Sequence, residues 1–428
     1  MARMPGGLAN YIAHVRHFSR EMRLYILFTL ISFLNIGFFQ VLYNLYLDRL
    51  GLREDYIGTF TALQTAALAG AALTAGPLIN RFGARRMVFW GFIFLSVVGA
   101  AQAITEQPTA LLALAALQGI GTSYFINPTN LLILDYTEAH DRQHATSIVY
   151  AVQAAASTVG NLGGGLLPRA AIALVPSLGA GSVETYRVTL LIGVAVASLA
   201  LIPLVRISPD AGERRGEIAG VRAQQEPAQR RARTQTRWDF GIFLLTGGLL
   251  AVATASVVPF YNVYLTRLGA GTETVGYIYA GASLFAAFVS LFGPVLASRL
   301  GQLRASMVLR LLPFPLFAAM IFSPSLALAI PAHAIRNTSV NASWPIDATF
   351  IAELLPPRQR AYIFSMRSVT WNAVWAGTSV VAGQIISATG SYRINFAVYV
   401  VFLVVNVFIF QVYYGRRLAE RARLAAAP

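Results

Sequence analysis

An all-α integral membrane protein, with twelve transmembrane helices in two parallel six-helix repeats, is the fold class this sequence predicts. Three observations carry the prediction. Hydrophobic residues make up 56% of the chain and charged residues 12%, against about 25% charged in an average soluble domain. Twelve stretches are apolar for about the 20 residues that a helix needs to cross the bilayer core. The string YNLYLDRLG at 43–51 returns as YNVYLTRLG at 261–269, 218 residues later.

The spans lie near 24–47, 56–79, 86–105, 109–134, 145–168, 188–206, 239–265, 275–298, 305–322, 325–351, 361–386 and 394–414. Connectors are short except at 206–237, where eight Arg and four acids stand among almost no aromatics. Such a segment cannot bury a core and reads as a flexible linker. The chain then divides into a segment at 1–23, a bundle at 24–206, a linker at 207–238, a bundle at 239–414 and a tail at 415–428. Residues 8–22 suit a short interfacial helix, with Arg16 and Arg20 toward headgroups.

All 33 basic residues are Arg. Twenty-four lie on the N-terminal side of the spans, six on the other side and three within helices. Positive charge concentrates on the cytoplasmic side, so both termini are expected inside a plasma membrane. The net charge of +15 thus marks topology, and no nucleic-acid partner is expected. A single chain in the lipid bilayer is the expected unit. The absence of Cys excludes thiol nucleophiles and cysteine-ligated metals. The absence of Lys excludes a Walker A loop and lysine Schiff bases. No cofactor, metal site or enzymatic constellation is expected.

The repeat extends beyond its first string. Gly58 matches Gly276, Arg81 matches Arg299 and Gly83 matches Gly301 at the same shift; Arg142-Gln143 and Tyr186-Arg187 find partners at Arg358-Gln359 and Tyr392-Arg393. An even number of spans per unit makes the repeats parallel. Such folds bind solute near the midplane, between the halves.

The loop after the second span, GPLINRFGARRM at 76–87, is similar to the cytoplasmic G-x-L-x-D-R-x-G-R-[RK] motif of the major facilitator superfamily. Gly76, Leu78, Arg81 and Gly83 match, Arg85 and Arg86 supply the basic end, and Asn80 stands at the acidic place. GPVLASRLGQLR at 293–304 is a weaker second copy. ALQGIGTSY at 116–124 resembles the family's R-x-x-Q-G-x-G pattern with Ala115 at the Arg place, and GNLGGG at 160–165 resembles G-P-x-x-G-G of its antiporters with Asn161 at the Pro place. The resemblance implies a secondary transporter with alternating access and a cytoplasmic gate at 76–86.

Ionisable groups inside a bilayer are expensive. In the tenth span His333, Asn337, Val340, Trp344 and Asp347 recur at helical spacing, with Arg336 beside them. A mid-span Arg costs roughly 2.5–3.5 kcal/mol on the insertion scale, and its fork suits carboxylate and phosphate. Arg336, aided by His333, is expected to meet an anionic group. The eleventh span adds Arg367, Trp371 and Trp375. Asp347 is read either as a proton site or as the partner of Arg367, with Asp135 the second candidate acid. Arg310, near a span end, is expected to snorkel to water. Asn35, Phe39, Tyr43, Asn127 and Gln153 supply a neutral wall, and Tyr261 repeats Tyr43. The expected cargo is a small amphipathic organic anion, with or without a coupled proton. The rival readings are a proton-coupled multidrug efflux antiporter, a lipid flippase and a non-transporting receptor on the same fold.

Overall fold

The computed structural model describes residues 18–138, 141–179, 181–208, 231–290, 292–354 and 357–426. Every regular element among them is a helix. In the first half α1 is Arg20–Arg49, α2 Glu54–Phe82 and α3 Ala84–Ile104. Next, α4 is Pro108–Ile126 resuming as Thr129–Tyr136, α5 is Arg142–Leu174, and α6 is Val183–Ser198 resuming as Leu201–Val205. In the second half α7 is Arg231–Ala255, continued by the tight turn Val258–Phe260 and by Tyr261–Arg267. Thr272–Ser290 and Gly293–Leu300 form α8; Gln302–Leu311 and Phe314–Phe322 form α9. Leu326–Leu354 is α10, Pro357–Thr389 is α11 and Arg393–Ala426 is α12.

Proline sets several of the breaks. Pro128, Pro259 and Pro313 each interrupt a span, because proline lacks the N–H and crowds the preceding turn. Pro77, Pro168, Pro331 and Pro345 stay inside unbroken helices, as is common where neighbouring helices re-satisfy the freed carbonyls. Ser19 starts α1 by accepting the Met22 N–H at 3.2 Å. The interfacial helix expected at 8–22 lies outside the described residues up to 17; from Ser19 onward the chain enters α1 instead. Most of the linker at 207–238 also lies outside them. The expected tail at 415–428 is not separate from the last span, since α12 runs on to Ala426.

Among the described residues eight helices, α1 to α4, α6, α7, α9 and α12, are long and apolar enough to cross a membrane. Large apolar side chains stand outward on α3, α6, α9 and α12, among them Trp90, Ile192, Phe322 and Phe408. A band of that extent is what lipid, not water, would cover.

The duplication is visible in the backbone. Gly51 and Gly269 close the α1–α2 and α7–α8 turns at φ 79° and 91°, and Gly83 and Gly301 close the next turn of each half at 83° and 80°. L-residues with a Cβ rarely adopt such angles. In the first half α1 packs on α5 and α6, and α2 on α4; in the second α7 packs on α11 and α12, and α8 on α10. Between halves, α2 packs on α11 and α5 on α8.

Those inter-half contacts are tight at the end of the bundle that holds the α1–α2 turn. A methyl placed on Gly58 would lie 2.2 Å from the Ser379 carbonyl oxygen, and one on Gly276 would lie 2.6 Å from Gly165 Cα. Ion pairs tie the same end: Arg267 to Asp48 at 2.7 Å and Arg169 to Glu273 at 3.0 Å. Tyr392 donates to Glu54 at 2.8 Å. Toward the opposite end the same helices separate. Methyls on Gly70 or Gly76 of α2 would touch nothing within 4 Å, and Leu73 is 72% exposed.

Candidate functional site

Between the halves lies a cavity of about 510 Å³, closed toward the α1–α2 end by Asn44, Pro259 and Asn262. The helical steps of α1 bring Asn35, Phe39 and Tyr43 to it on one face, joined by Gln40, by Gln64 of α2 and by Gln118 and Thr122 of α4. The opposing wall holds Tyr279 of α8, His333 and Arg336 of α10, and Trp375 of α11. One guanidinium therefore faces a wall of amides, and no carboxylate is among the lining residues.

Arg336 is 8% exposed, and its Nε has no hydrogen-bond partner. The ion pairs of Asp48, Glu54, Glu106, Asp239, Glu273 and Asp347 go to other arginines. His333 is held by rings: Tyr261 stacks at 5.0 Å and Tyr279 tilts against it at 4.3 Å. Its Nδ1 is buried without a partner. On the facing wall Asn35 Oδ1 and the Tyr43 hydroxyl are likewise buried and unpaired. Buried polar atoms are almost always bonded. Four unpaired polar atoms thus gather around one cavity, a lining whose chemistry suits a polar solute. Gln118 is different: Gln102, wholly buried, donates to its Oε1 at 3.0 Å and fixes its orientation.

Six of the twelve expected lining residues meet here: Asn35, Phe39, Tyr43, His333, Arg336 and Trp375. The other six lie elsewhere. Tyr261 is behind His333, donating to the Ala329 carbonyl at 2.7 Å. Asn337 donates to the Ala282 carbonyl of α8 at 3.4 Å. Asn127 folds back on Ser123, and Gln153 is half-buried in α5 away from the lining. Trp344 is 42% exposed, edge-on to Trp371, which stacks on Trp375 at 5.8 Å. The single face expected from His333 to Asp347 is thus divided. Its two ends are about 20 Å apart along the axis, and α10 packs on different neighbours at each depth.

Asp347 belongs to a second cluster, turned toward α9 rather than into the cavity. It is 1% exposed, accepts from Ser306 and Arg310 at 2.5 Å each, and lies 3.7 Å from Arg367. Arg310 also donates to Asn406 at 2.7 Å and covers the Phe410 ring at 4.5 Å. This corrects the expectation that Arg310 snorkels: it is 3% exposed, and α9 begins at Gln302, placing it about 12 Å inside the helix. Arg367 is sandwiched by Trp344 at 4.0 Å and Phe243 at 4.7 Å, a cation–π arrangement. Two guanidiniums share one carboxylate, so the cluster is cationic. Asp135 is half-buried near the end of α4 and does not line the cavity.

The expected loop at 76–87 is instead the end of α2 and the start of α3, with Gly83 alone making the turn; Gly76, Asn80 and Arg81 on α2 and Arg86 on α3 are exposed. Arg85 donates to the Val205 carbonyl at 3.2 Å, capping the end of α6 in its own half. Arg81 lies over the Phe82 ring at 5.3 Å.

Residues 25–336 match the family model described as Major Facilitator Superfamily. Multidrug resistance protein MdtH of Yersinia pestis (strain Pestoides F) is 25% identical over 249 residues, 57% of each chain; this chain thus spans about 57% of the length of the curated relatives it matches. Among solved structures, nucleoside transporter NupG superposes with a TM-score of 0.71 at 12% identity, covering 92% of this chain and 99% of that one. A bacterial homologue of the human lysosomal transporter Spinster, in an inward-facing and unoccupied conformation, gives 0.69 at 17%, covering 95% and 97%. At these identities the two structures speak for the fold, while the family model spans most of the sequence from α1 into α10. The chain belongs to the Major Facilitator Superfamily.

Proposed function

We propose that this transporter moves a small amphipathic organic anion through the plasma membrane by alternating access, with both termini in the cytoplasm. The observation that carries the reading is Arg336: a buried cation without a carboxylate partner, opposite aromatic and amide groups in a cavity between the halves. A lone guanidinium in such a place is costly, and an anion that binds it bidentately offsets that cost. His333, Tyr43 and Asn35 supply the remaining polar contacts, and Phe39 and Trp375 the apolar ones. In this orientation the tight α1–α2 end is the outer one, so the conformation is open inward. Asp347 serves as the counter-ion of Arg310 and Arg367 rather than as a proton carrier, because it accepts from the Arg310 guanidinium at 2.5 Å and stands 3.7 Å from that of Arg367.

The test is a thermal-shift screen on purified wild type and Arg336→Ala, with amphipathic carboxylates, phosphates and quaternary amines. A ligand at 100 times its Kd stabilises the folded state by about 2.7 kcal/mol. Anions that raise the melting temperature of the wild type alone support the reading. Cations that stabilise both proteins equally would replace it with the efflux reading, which the likeness to MdtH and the aromatic lining favour.

A further inference from the structure

The repeat preserves an asparagine whose work is visible only across the halves. Asn44 of α1 and Asn262 of α7 stand 218 residues apart, within the two nearly identical strings. Asn44 Nδ2 donates to the Pro259 carbonyl at 2.6 Å. Asn262 Nδ2 donates to the Val41 carbonyl at 3.1 Å. Val41 and Pro259 also stand 218 apart. The two bonds are therefore images of each other: each half inserts its asparagine amide into the backbone of the other. Asn262 is 1% exposed, and Asn44, Asn262 and Pro259 all border the cavity.

The local backbone explains why an amide is required on the α7 side. Pro259 sits in the turn that interrupts α7. The Val263 N–H, which would reach the Pro259 carbonyl in a continuous helix, is taken by Asn262 Oδ1 at 3.0 Å. That carbonyl then accepts Asn44 instead. One side chain thus caps a broken helix and bonds across the halves, and the other satisfies the carbonyl that the break exposes. A carboxylate could not do both, since it has no donor, and a hydroxyl would have to donate and accept at one atom rather than at two separate ones.

We infer that Asn44 and Asn262 are positioning residues of the transport cycle: a two-fold-related clasp that closes the cavity at the α1–α2 end and must part for that end to open. The clasp sits inside the outer ring formed by the Asp48–Arg267 pair and the Gly58 and Gly276 crossings, directly against the solute space. The Asn262 bond is buried and the Asn44 bond partly buried, which limits their replacement by water while the halves stay together. That makes the closed state self-supporting in an empty transporter and ties separation at this end to rearrangement of the cavity wall.

The chain contains no Cys, so a single reporter thiol is unambiguous. Thr61→Cys lies in the cavity on α2. Membrane-impermeant maleimide is applied to one face or the other of membranes carrying this reporter alone, with Asn44→Ala, with Asn262→Ala, or with both. The expected result is reciprocal: labelling through the α1–α2 end rises at least fivefold in the double variant, and labelling through the opposite end falls. Each single variant gives a smaller change of the same signs. A merely loosened or misfolded protein raises labelling from both faces and overturns the proposal, as does unchanged labelling from both.

Discussion

The two halves of this protein share a frame and differ in chemistry, and the residues that correspond make the division plain. Helices α4 and α10 begin at Pro108 and Leu326, 218 residues apart; at that shift Gln118 corresponds to Arg336, and Thr61 to Tyr279. All four line the cavity. The first half presents a neutral amide oriented by Gln102; the second presents a cation oriented by nothing charged. Deeper in the second half sit Arg310, Asp347 and Arg367; at the same shift Arg310 and Asp347 correspond to Phe92 and Thr129, and at the shift of 216 that pairs Arg142 with Arg358, Arg367 corresponds to Ala151. What stayed alike is what fixes backbone and interface: Gly51 with Gly269, Gly83 with Gly301, Asn44 with Asn262. At the cavity itself the halves differ in charge, a neutral amide at Gln118 against a guanidinium at Arg336.

The largest way to break this contrast is at the buried cluster. Asp347→Ala leaves Arg310 and Arg367 without their shared carboxylate. Removing one partner of a buried charge group typically costs about 3–5 kcal/mol. Thermal unfolding in detergent should show a melting temperature far below wild type, whereas Thr129→Ala in the first half should move it little. A cluster that tolerates Asp347→Ala without loss of stability would show that the guanidiniums find other partners.

Arg336→Gln makes the second half resemble the first at the corresponding position. Anion flux in proteoliposomes should fall about a hundredfold, equivalent to about 2.8 kcal/mol at 1.4 kcal/mol per decade. The empty protein should become more stable, because a lone cation costs roughly 2.5–3.5 kcal/mol in mid-membrane. Opposite signs for flux and stability are the signature of a ligand-seeking residue. A drop in both would make Arg336 a structural cation instead.

Much of this was legible in the letters, and the gaps have physical causes. Twelve spans, the break between halves and the cost of Arg336 follow from hydropathy and charge alone. The amides Gln40, Gln64 and Gln118 escaped notice although the argument applied to Gln153 covers them too, since Gln118 was read only as part of a glycine pattern. Tyr261 carries the same letter as Tyr43 but not the same place. The turn around Pro259 redirects the residues that follow, so Tyr261 bonds Ala329 behind His333 while Tyr43 keeps its hydroxyl unpaired at the cavity. Arg310 was misjudged because hydropathy marks where apolar sequence begins, not where the helix does. Asn44 and Asn262 were seen as a signature of duplication, but a bond across the halves has no trace in either string by itself.

The two ends of the bundle give a finer comparison, through glycines of the same helix. Gly58 and Gly70 both lie in α2. A methyl on Gly58 would stand 2.2 Å from the Ser379 oxygen, so Gly58→Ala should push α2 from α11 and cost about 1–3 kcal/mol of the closed arrangement. The corresponding Gly276→Ala should do the same to α5 and α8, where the methyl would meet Gly165 and the Asn161 carbonyl at 2.6–3.0 Å. Either variant should raise labelling of a Thr61→Cys reporter through the α1–α2 end.

Gly70→Ala should act the other way and least of all. Nothing lies within 4 Å of the added methyl, so no neighbour must move, and alanine in a helix interior gains roughly 0.5–1 kcal/mol over glycine. The expected outcome is a small rise in melting temperature with reporter labelling unchanged. Should Gly70→Ala instead slow transport while leaving the resting protein intact, α2 and α11 must come together at that level during the cycle. The space around Gly70 would then belong to this conformation alone, and the crossing at Gly58 would have a counterpart at the other end that forms when the clasp opens.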